Sequence, residues 1–326
     1  MIEKFKIALI YKPSYPFLTG EHFDNTTYDF FIKALPRNEN LEITYFASET
    51  SFDVSPLNDN FDVILLPTND SVGTPDNLIG IEKLKIPVIS RVGDPHDAIR
   101  TKKIPNHEKY KIDYYFNFML EEYFYKFYPK HFKYKTIVFG VEPSLYQNIK
   151  NFKDRISNRI LNSGAVGKTT LKSRLANKIL NPKRSSWYFY KLRSLCNNLP
   201  YVVHTGMIKN QYVNNDYPAL LSKYKASIAA TTFYPTIKYW EISAAGCLPF
   251  MEITDVNHGK YLGYEDDISA IFINQKNYKK KFEQFLSDPE NEKWEKIAEN
   301  SRNFTLKHLT NDSASNSLVE LIKEII

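Results

Sequence analysis

One stretch of the chain leaves little freedom in how it can fold. Residues 225–231 (KASIAAT) form a short apolar run, and residues 248–253 (LPFMEI) form another. Between them, residues 237–245 have helical composition. Pro235 and Thr236 suit the start of that helix, and Gly246 suits its end. Two such runs joined through a helix are parallel strands with a crossover, a βαβ unit. Glu241 stands in the first turns of the helix, among Tyr239, Trp240, Ile242, Ala244 and Ala245. On periodicity alone it is a carboxylate favoured by the helix dipole.

The same alternation runs through the rest of the chain. In the first half, apolar runs predict strands at 6–11, 41–46, 61–67, 86–91, 112–118 and 136–139, with helices at 27–35, 77–84 and 121–127. In the second half, strands are predicted at 159–163, 200–204 and 269–273 as well. Helices are predicted at 185–196, 217–224, 291–303 and 312–325. A length of 326 residues suits two domains better than one core. The expected division is 1–150, 151–305 and a terminal helix at 306–326 that packs back on the first domain. Each half reads as a doubly wound α/β sheet.

Ligands of such sheets bind beyond the C-terminal ends of the strands. Two loops of the first half meet that condition. One is 14–22, which holds Gly20. The other is Gly93-Asp94-Pro95-His96-Asp97, where Asp94 and His96 have acid–base or hydroxyl-orienting chemistry. Gly, Asp and Pro are also ordinary turn formers.

Hydrophobic residues make up 43% and charged residues 25%, the balance of a folded protein. The net charge of +6 admits an anionic ligand without demanding nucleic acid. No apolar run is long enough to span a bilayer, and the first residues lead straight into a strand without a signal-peptide pattern. Cys196 and Cys247 sit among apolar residues, as reduced structural thiols do. A cytoplasmic protein is expected, with the inner face of the membrane as a second location. The stretch 123–135 (YFYKFYPKHFKYK) interleaves Lys126, Lys130, Lys133 and Lys135 with aromatics. It reads as buried rings with solvated lysines, as a contact with an anionic membrane surface, or as a stacking platform for single-stranded nucleic acid.

In the second half, Gly164-Ala165-Val166-Gly167-Lys168-Thr169 looks at first like a phosphate-binding P-loop. The spacing fails, because the required first glycine would be Asn162. A glycine after a strand, followed by Lys168, Lys172 and Arg174, still suits a diphosphate.

Three segments carry a family resemblance. KYWEISAAGCLPF resembles the fE-x-x-A-x-G-x-x-P segment of retaining, group-1-like glycosyltransferases of the GT-B architecture. VFGVEPSLY, at 138–146, resembles the G-V-D-P-x-x-F segment that ends their first domain. Residues 159–170 resemble the strand and loop that open their second. The resemblance implies two Rossmann-like domains with the nucleotide-sugar cleft between them. It implies transfer of a sugar from a nucleotide diphosphate sugar, UDP or GDP, to a glycan, lipid-linked or other hydroxyl acceptor. No cofactor or metal is implied. Glu241 would bind the ribose. Thr236, Lys238 and Tyr239, at the helix start, would face the diphosphate, together with Gly20, Gly164, Lys168 and Arg174. Lys168 would also act in catalysis, with Asp94 and His96. Many relatives carry a second Glu eight positions before Glu241, where this chain has Phe233. That departure motivates an alternative, a non-catalytic nucleotide-sugar-binding or scaffold protein. A nucleic-acid-binding protein is the second alternative.

Overall fold

A computed structural model describes residues 4–19, 26–167, 170–180, 186–205 and 216–326. The chain divides into two units, Met1–Glu142 with Asn311–Ile326, and Pro143–Thr310.

The strands of the first unit are β1 (Phe5–Tyr11), β2 (Leu41–Ala47), β3 (Ser51–Asp53), β4 (Val63–Leu66), β5 (Asn77–Ile79), β6 (Val88–Arg91), β7 (Tyr114–Asn117) and β8 (Lys133–Thr136). Six of them make one parallel sheet in the order β2-β1-β4-β6-β7-β8, and β3 pairs with β5 in a separate parallel ribbon. Strands β1 and β4 are apolar on both faces because both faces are covered. On one face Ile7, Leu9, Val63, Leu65 and Ile89 pack against Phe30, Phe31, Ala34 and Leu35.

The C-terminal helix, Asn311–Ile325, belongs to this same core through Ala314, Leu318, Leu321 and Ile322. Its start is fixed by Asn311, whose Oδ1 accepts from the Gly140 amide at 2.7 Å and whose own amide donates to Val141 O at 2.8 Å. Arg37 adds ion pairs to Asp312 at 2.8 Å and to the buried Glu142 at 3.0 Å.

Three expectations are corrected in this unit. The helix predicted at 27–35 winds as a π-helix over Asp29–Ala34, so Phe30 and Phe31 turn inward while Tyr28 and Ile32 stay half-buried. Residues 77–84 are strand β5 and a short 3-10 turn, Ile81–Lys83, rather than a helix. The sixth strand of the sheet is Lys133–Thr136, three residues earlier than the apolar run at 136–139. Of the three readings of the aromatic–lysine stretch, the structure fits buried rings with lysines over them. Tyr123, Phe124, Tyr128, Phe132 and Tyr134 are buried, with Phe124 stacked on Tyr128 and on Tyr134. Lys126, Lys130 and Lys133 lie over the protein's own rings of Tyr123, Tyr125 and Tyr114, and Lys135 pairs with Glu324.

The second unit holds β9 (Ile156–Asn162), β10 (Val202–His204), β11 (Tyr224–Ala229), β12 (Leu248–Glu252) and β13 (Ile271–Ile273). They form a parallel sheet in the order β10-β9-β11-β12-β13. The crossover from β11 to β12 is the helix Lys238–Ala244, as its flanking apolar runs require. Ile160, Ile228, Leu248 and Phe250 pack against Phe282, Phe285, Trp294 and Ile297. The first two of those rings come from a helix the sequence reading passed over, Tyr278–Ser287. Among the described residues no helix is long and apolar enough to cross a membrane.

Candidate functional site

The C-terminal edge of the second sheet gathers the groups with binding chemistry. Strand β9 ends at Asn162 and runs into Ser163 and Gly164. Gly164 has φ +88°, a conformation that costs an L-residue about 1–2 kcal/mol. Any side chain there would also collide. A Cβ would lie 2.9 Å from Lys238 Cε and 3.1 Å from its Nζ. The glycine is what lets the lysine cross the strand end.

Lys238 Nζ donates to the Tyr217 hydroxyl at 2.8 Å, and that hydroxyl is 3.0 Å from Ser163 Oγ. Burial raises the Tyr217 pKa, and the Glu241 carboxylate raises it further. The tyrosine therefore stays a phenol beside Lys238. Glu241 is nearly buried, at 8% exposure. His204, at the end of β10, places Nε2 2.9 Å from Gly164 O.

Beneath the loop lies Arg193, only 1% exposed. Its Nε donates to Asn162 Oδ1 at 3.0 Å, and its guanidinium also donates to Ser163 O. Asn162 returns a bond to Arg193 O at 3.0 Å. These partners are neutral, and desolvation lowers the Arg193 pKa. A buried cation held by dipoles and by the face of the Tyr190 ring, with no carboxylate partner among the described residues, is costly, and an anion bound nearby would offset that cost. The charge stands at the strand end where a Rossmann-like sheet takes its ligand.

The Glu241 helix is clamped at its far end. Arg155 donates to Ala245 O at 3.0 Å and to Gly246 O at 2.7 Å, and Arg302 donates to Ala244 O and to Tyr146 O. Two guanidinium groups thus satisfy the carbonyls the helix leaves open and sit at the negative end of its dipole. Ser301 Oγ donates to Ser243 Oγ at 2.8 Å on the same helix. A cavity of about 750 Å³ opens beside this clamp, lined by Phe152, Arg155, Gly246, Glu295, Glu299 and Arg302. Arg155 immediately precedes β9, so the cavity lies where that strand begins, away from Gly164.

The expected site residues fare differently. Gly164 and Lys238 come together, Glu241 stands one turn further along the same helix with its charge felt at Tyr217, and Thr236 lies half-buried just before the helix. Tyr239 turns into the core of the unit. It is fully buried, and its hydroxyl accepts from the Thr231 amide at 3.0 Å and donates to Glu252 O at 3.0 Å, tying β11 to β12. Arg174 belongs to the helix Leu171–Leu180, its side chain outside what the structure describes, and Lys172 on that helix is exposed. Gly20 and Lys168 lie outside the described residues.

Asp94 and His96 belong to the first unit, after β6. The His96 side chain is buried, with Nδ1 3.4 Å from the Tyr123 hydroxyl and Nε2 3.7 Å from Asp94 Oδ2 and 3.9 Å from Asp97 Oδ2. One ligand atom from each of Asp94, His96 and Asp97 falls within 4.8 Å of the others. Asp97 is also paired with Arg100 at 2.9 Å, and the segment Pro95–Asp97 is a 3-10 turn.

Arg193, Tyr217 and the arginine clamp escaped the sequence reading. The signal for Arg193 was a cation inside the aromatic run WYFYKLR, and it was read only as helix composition.

Two parallel Rossmann-like units of this kind define the GT-B architecture, and the chain has that fold. No family model matches the sequence, and no curated protein does. Solved structures share the fold at low identity. Anabaena HepE, solved with UDP and glucose, is 10% identical with a TM-score of 0.58, covering 98% of this chain and 100% of that one. An alpha-glucosyltransferase solved with UDP-glucose and DNA containing an abasic site is 12% identical with a TM-score of 0.58, over 98% and 100%. Sucrose-phosphate synthase from Thermosynechococcus elongatus is 10% identical with a TM-score of 0.60, over 98% and 99%.

Proposed function

We propose that the protein is a glycosyltransferase that moves a sugar from a nucleoside diphosphate sugar, with UDP as the nucleotide, to a hydroxyl acceptor, with retention at the anomeric carbon. The observation that carries this reading is the convergence of Lys238, Arg193, Tyr217 and Glu241 around the left-handed Gly164. The likeness to structures solved with UDP and UDP-glucose supports the choice of nucleotide. In the reaction the bond from C1 to the diphosphate oxygen breaks, and the diphosphate leaves with the electron pair. The acceptor oxygen bonds C1, and its proton passes to the departing diphosphate oxygen. Negative charge grows on the leaving group, and Lys238 meets it directly while Arg193 acts through its field. Lys168, by its place in the sequence, adds a third cation. Glu241 accepts the ribose hydroxyls. Asp94 and His96 are assigned to the acceptor hydroxyl, and the glycan or lipid-linked nature of the acceptor follows from the resemblance alone.

Calorimetry and turnover with UDP-glucose test the assignment. Charge-assisted hydrogen bonds are worth roughly 1.5–3 kcal/mol, so Glu241→Gln weakens UDP binding by about one to two decades. Lys238→Met lowers turnover at saturating donor as well, because its charge matters most in the transition state. If neither UDP nor GDP binds at millimolar concentration, or if Glu241→Gln binds as the parent does, the reading is wrong.

A further inference from the structure

The cavity beside the arginine clamp plays no part in the site at Gly164. Its volume of about 750 Å³ is that of a site for a small organic ligand. Three parts of the second unit wall it: the segment 149–155, Gly246 at the end of the Glu241 helix, and one face of the helix Glu292–His308. On that face Glu295, Glu299 and Arg302 follow one another at helical spacing.

Two guanidinium groups meet at this wall. A Cβ on Gly246 would lie 3.2 Å from Arg155 Nη2 and 3.6 Å from Arg302 Cδ, so both side chains pass over that glycine. Arg155 is 5% exposed, and its partners are neutral: the carbonyls of Lys150, Ala245 and Gly246 and the Cys247 thiol. Arg302 donates to Ala244 O and Tyr146 O, and its remaining N–H groups have no acceptor among the described residues. Among those residues neither arginine is paired with a carboxylate. Glu295 pairs with Lys153 instead, at 3.7 Å. Desolvation lowers the pKa of both arginines, and the charge of Arg155 lowers that of Arg302 further. An anion in the cavity offsets the desolvation and the repulsion together. The helix end, with about half a negative charge, is outweighed by two guanidinium groups. Lys150 and Lys153, exposed on the same wall, add to the attraction.

The cavity also holds carboxylates, Asp154, Glu295 and Glu299. They repel a ligand that is anionic along its whole length, such as a polyphosphate. They suit a ligand whose body offers hydroxyl donors, because an ionised carboxylate only accepts.

We propose that this cavity binds a phosphorylated sugar, its phosphate taking the open N–H groups of Arg302 in the field of Arg155 and its hydroxyls donating to Glu295 and Glu299. The proposal is independent of the sugar-transfer reading, since the cavity lies where β9 begins and Gly164 follows where that strand ends.

Calorimetry on the full chain tests it, with glucose 6-phosphate, inorganic phosphate and glucose as probes. Glucose 6-phosphate is expected to bind tightest, and glucose weaker by about tenfold or more. Arg302→Gln is expected to weaken both phosphate probes by about tenfold or more. Where that variant folds poorly, Lys150→Glu with Lys153→Glu, both exposed, weakens the same probes by about threefold at an unchanged Tm. Glu299→Ala weakens glucose 6-phosphate and spares inorganic phosphate. Lys238→Met leaves the affinity for glucose 6-phosphate at the parent's level. Absence of glucose 6-phosphate binding at millimolar concentration overturns the proposal, and so does affinity untouched by the Arg302 and lysine variants. A loss with Lys238→Met would place the ester at Gly164 and overturn it as well. Inorganic phosphate binding as tightly as the ester would refute the sugar.

Discussion

At Gly164 one missing side chain makes room for another residue's charge. Gly164→Ala is expected to cost stability through its φ of +88° and to push Lys238 aside. Donor affinity should therefore fall by more than the change in Tm alone accounts for, and UDP titration of the folded variant measures it. Glu252 is a second residue under strain of environment. It is 4% exposed, its Oε2 finds no hydrogen-bond partner among the described residues, and burial pushes its carboxyl up to about 7, with Lys191 pulling weakly the other way. The folded state therefore holds a proton that the unfolded chain has released between about pH 4.5 and 7. This contribution to stability is full below the unfolded value and is lost as pH rises through 7, an effect on the order of 3 kcal/mol. Glu252→Gln should flatten the fall in Tm between pH 5 and 8 and leave the variant more stable than the parent at pH 8. A variant whose Tm falls with pH as steeply as the parent's would show that another group carries the dependence. Gly164 was legible in the sequence as a glycine after a strand suited to a diphosphate, but not as the residue that makes room for Lys238. Glu252 read as part of an apolar run, because its isolation arises only when β12 is covered.

Elements were legible where hydrophobic runs are short and well bounded. Strands β1, β4, β6 and β7, and the unit from β11 to β12, stand where their apolar residues put them. The reading failed where burial and composition part company. Strand β8, with the sequence KYKT, is polar at alternate positions, so its place was assigned to the apolar residues that follow it. The stretch at 123–135 drew attention through its lysines, although its rings are the core and the lysines cover them. The clamp on the Glu241 helix was invisible for another reason. Arg155 and Arg302 are far from Ala244 in sequence, and no local pattern relates them. Its importance can be measured. Arg155→Met leaves the carbonyls of Ala245 and Gly246 without their donor, at about 1–3 kcal/mol for a buried acceptor. Tm should drop by several degrees. UDP binding should weaken too, since the helix that carries Glu241 and Lys238 loses its anchor. Unchanged UDP affinity in a folded Arg155→Met chain would mean that the helix is held by its packing alone.

At the scale of the molecule, the first unit is built from two segments that flank the second in the chain. Phe30, Phe31 and Leu35 form one wall of a core whose other wall includes Leu318, Leu321 and Ile322. Leu318→Ala should cost about 2–5 kcal/mol in that core. Because Leu318 packs in the first unit and the Gly164 site belongs to the second, UDP affinity of the folded variant should stay at the parent's level. A loss of UDP binding in step with the loss of stability would contradict the assignment of the site to the second unit. The same construction bears on how the protein is made. A ribosome delivers β1 well before the Asn311–Ile325 helix, and the whole second unit emerges between them. Throughout that interval the nascent first unit displays the phenylalanines of its π-helix without their cover. The second unit has every strand of its sheet before the first is complete. Any nascent chain that stops short of the Asn311–Ile325 helix, by premature termination or by proteolysis, carries a finished second unit and an open aromatic surface, the kind that chaperones retain.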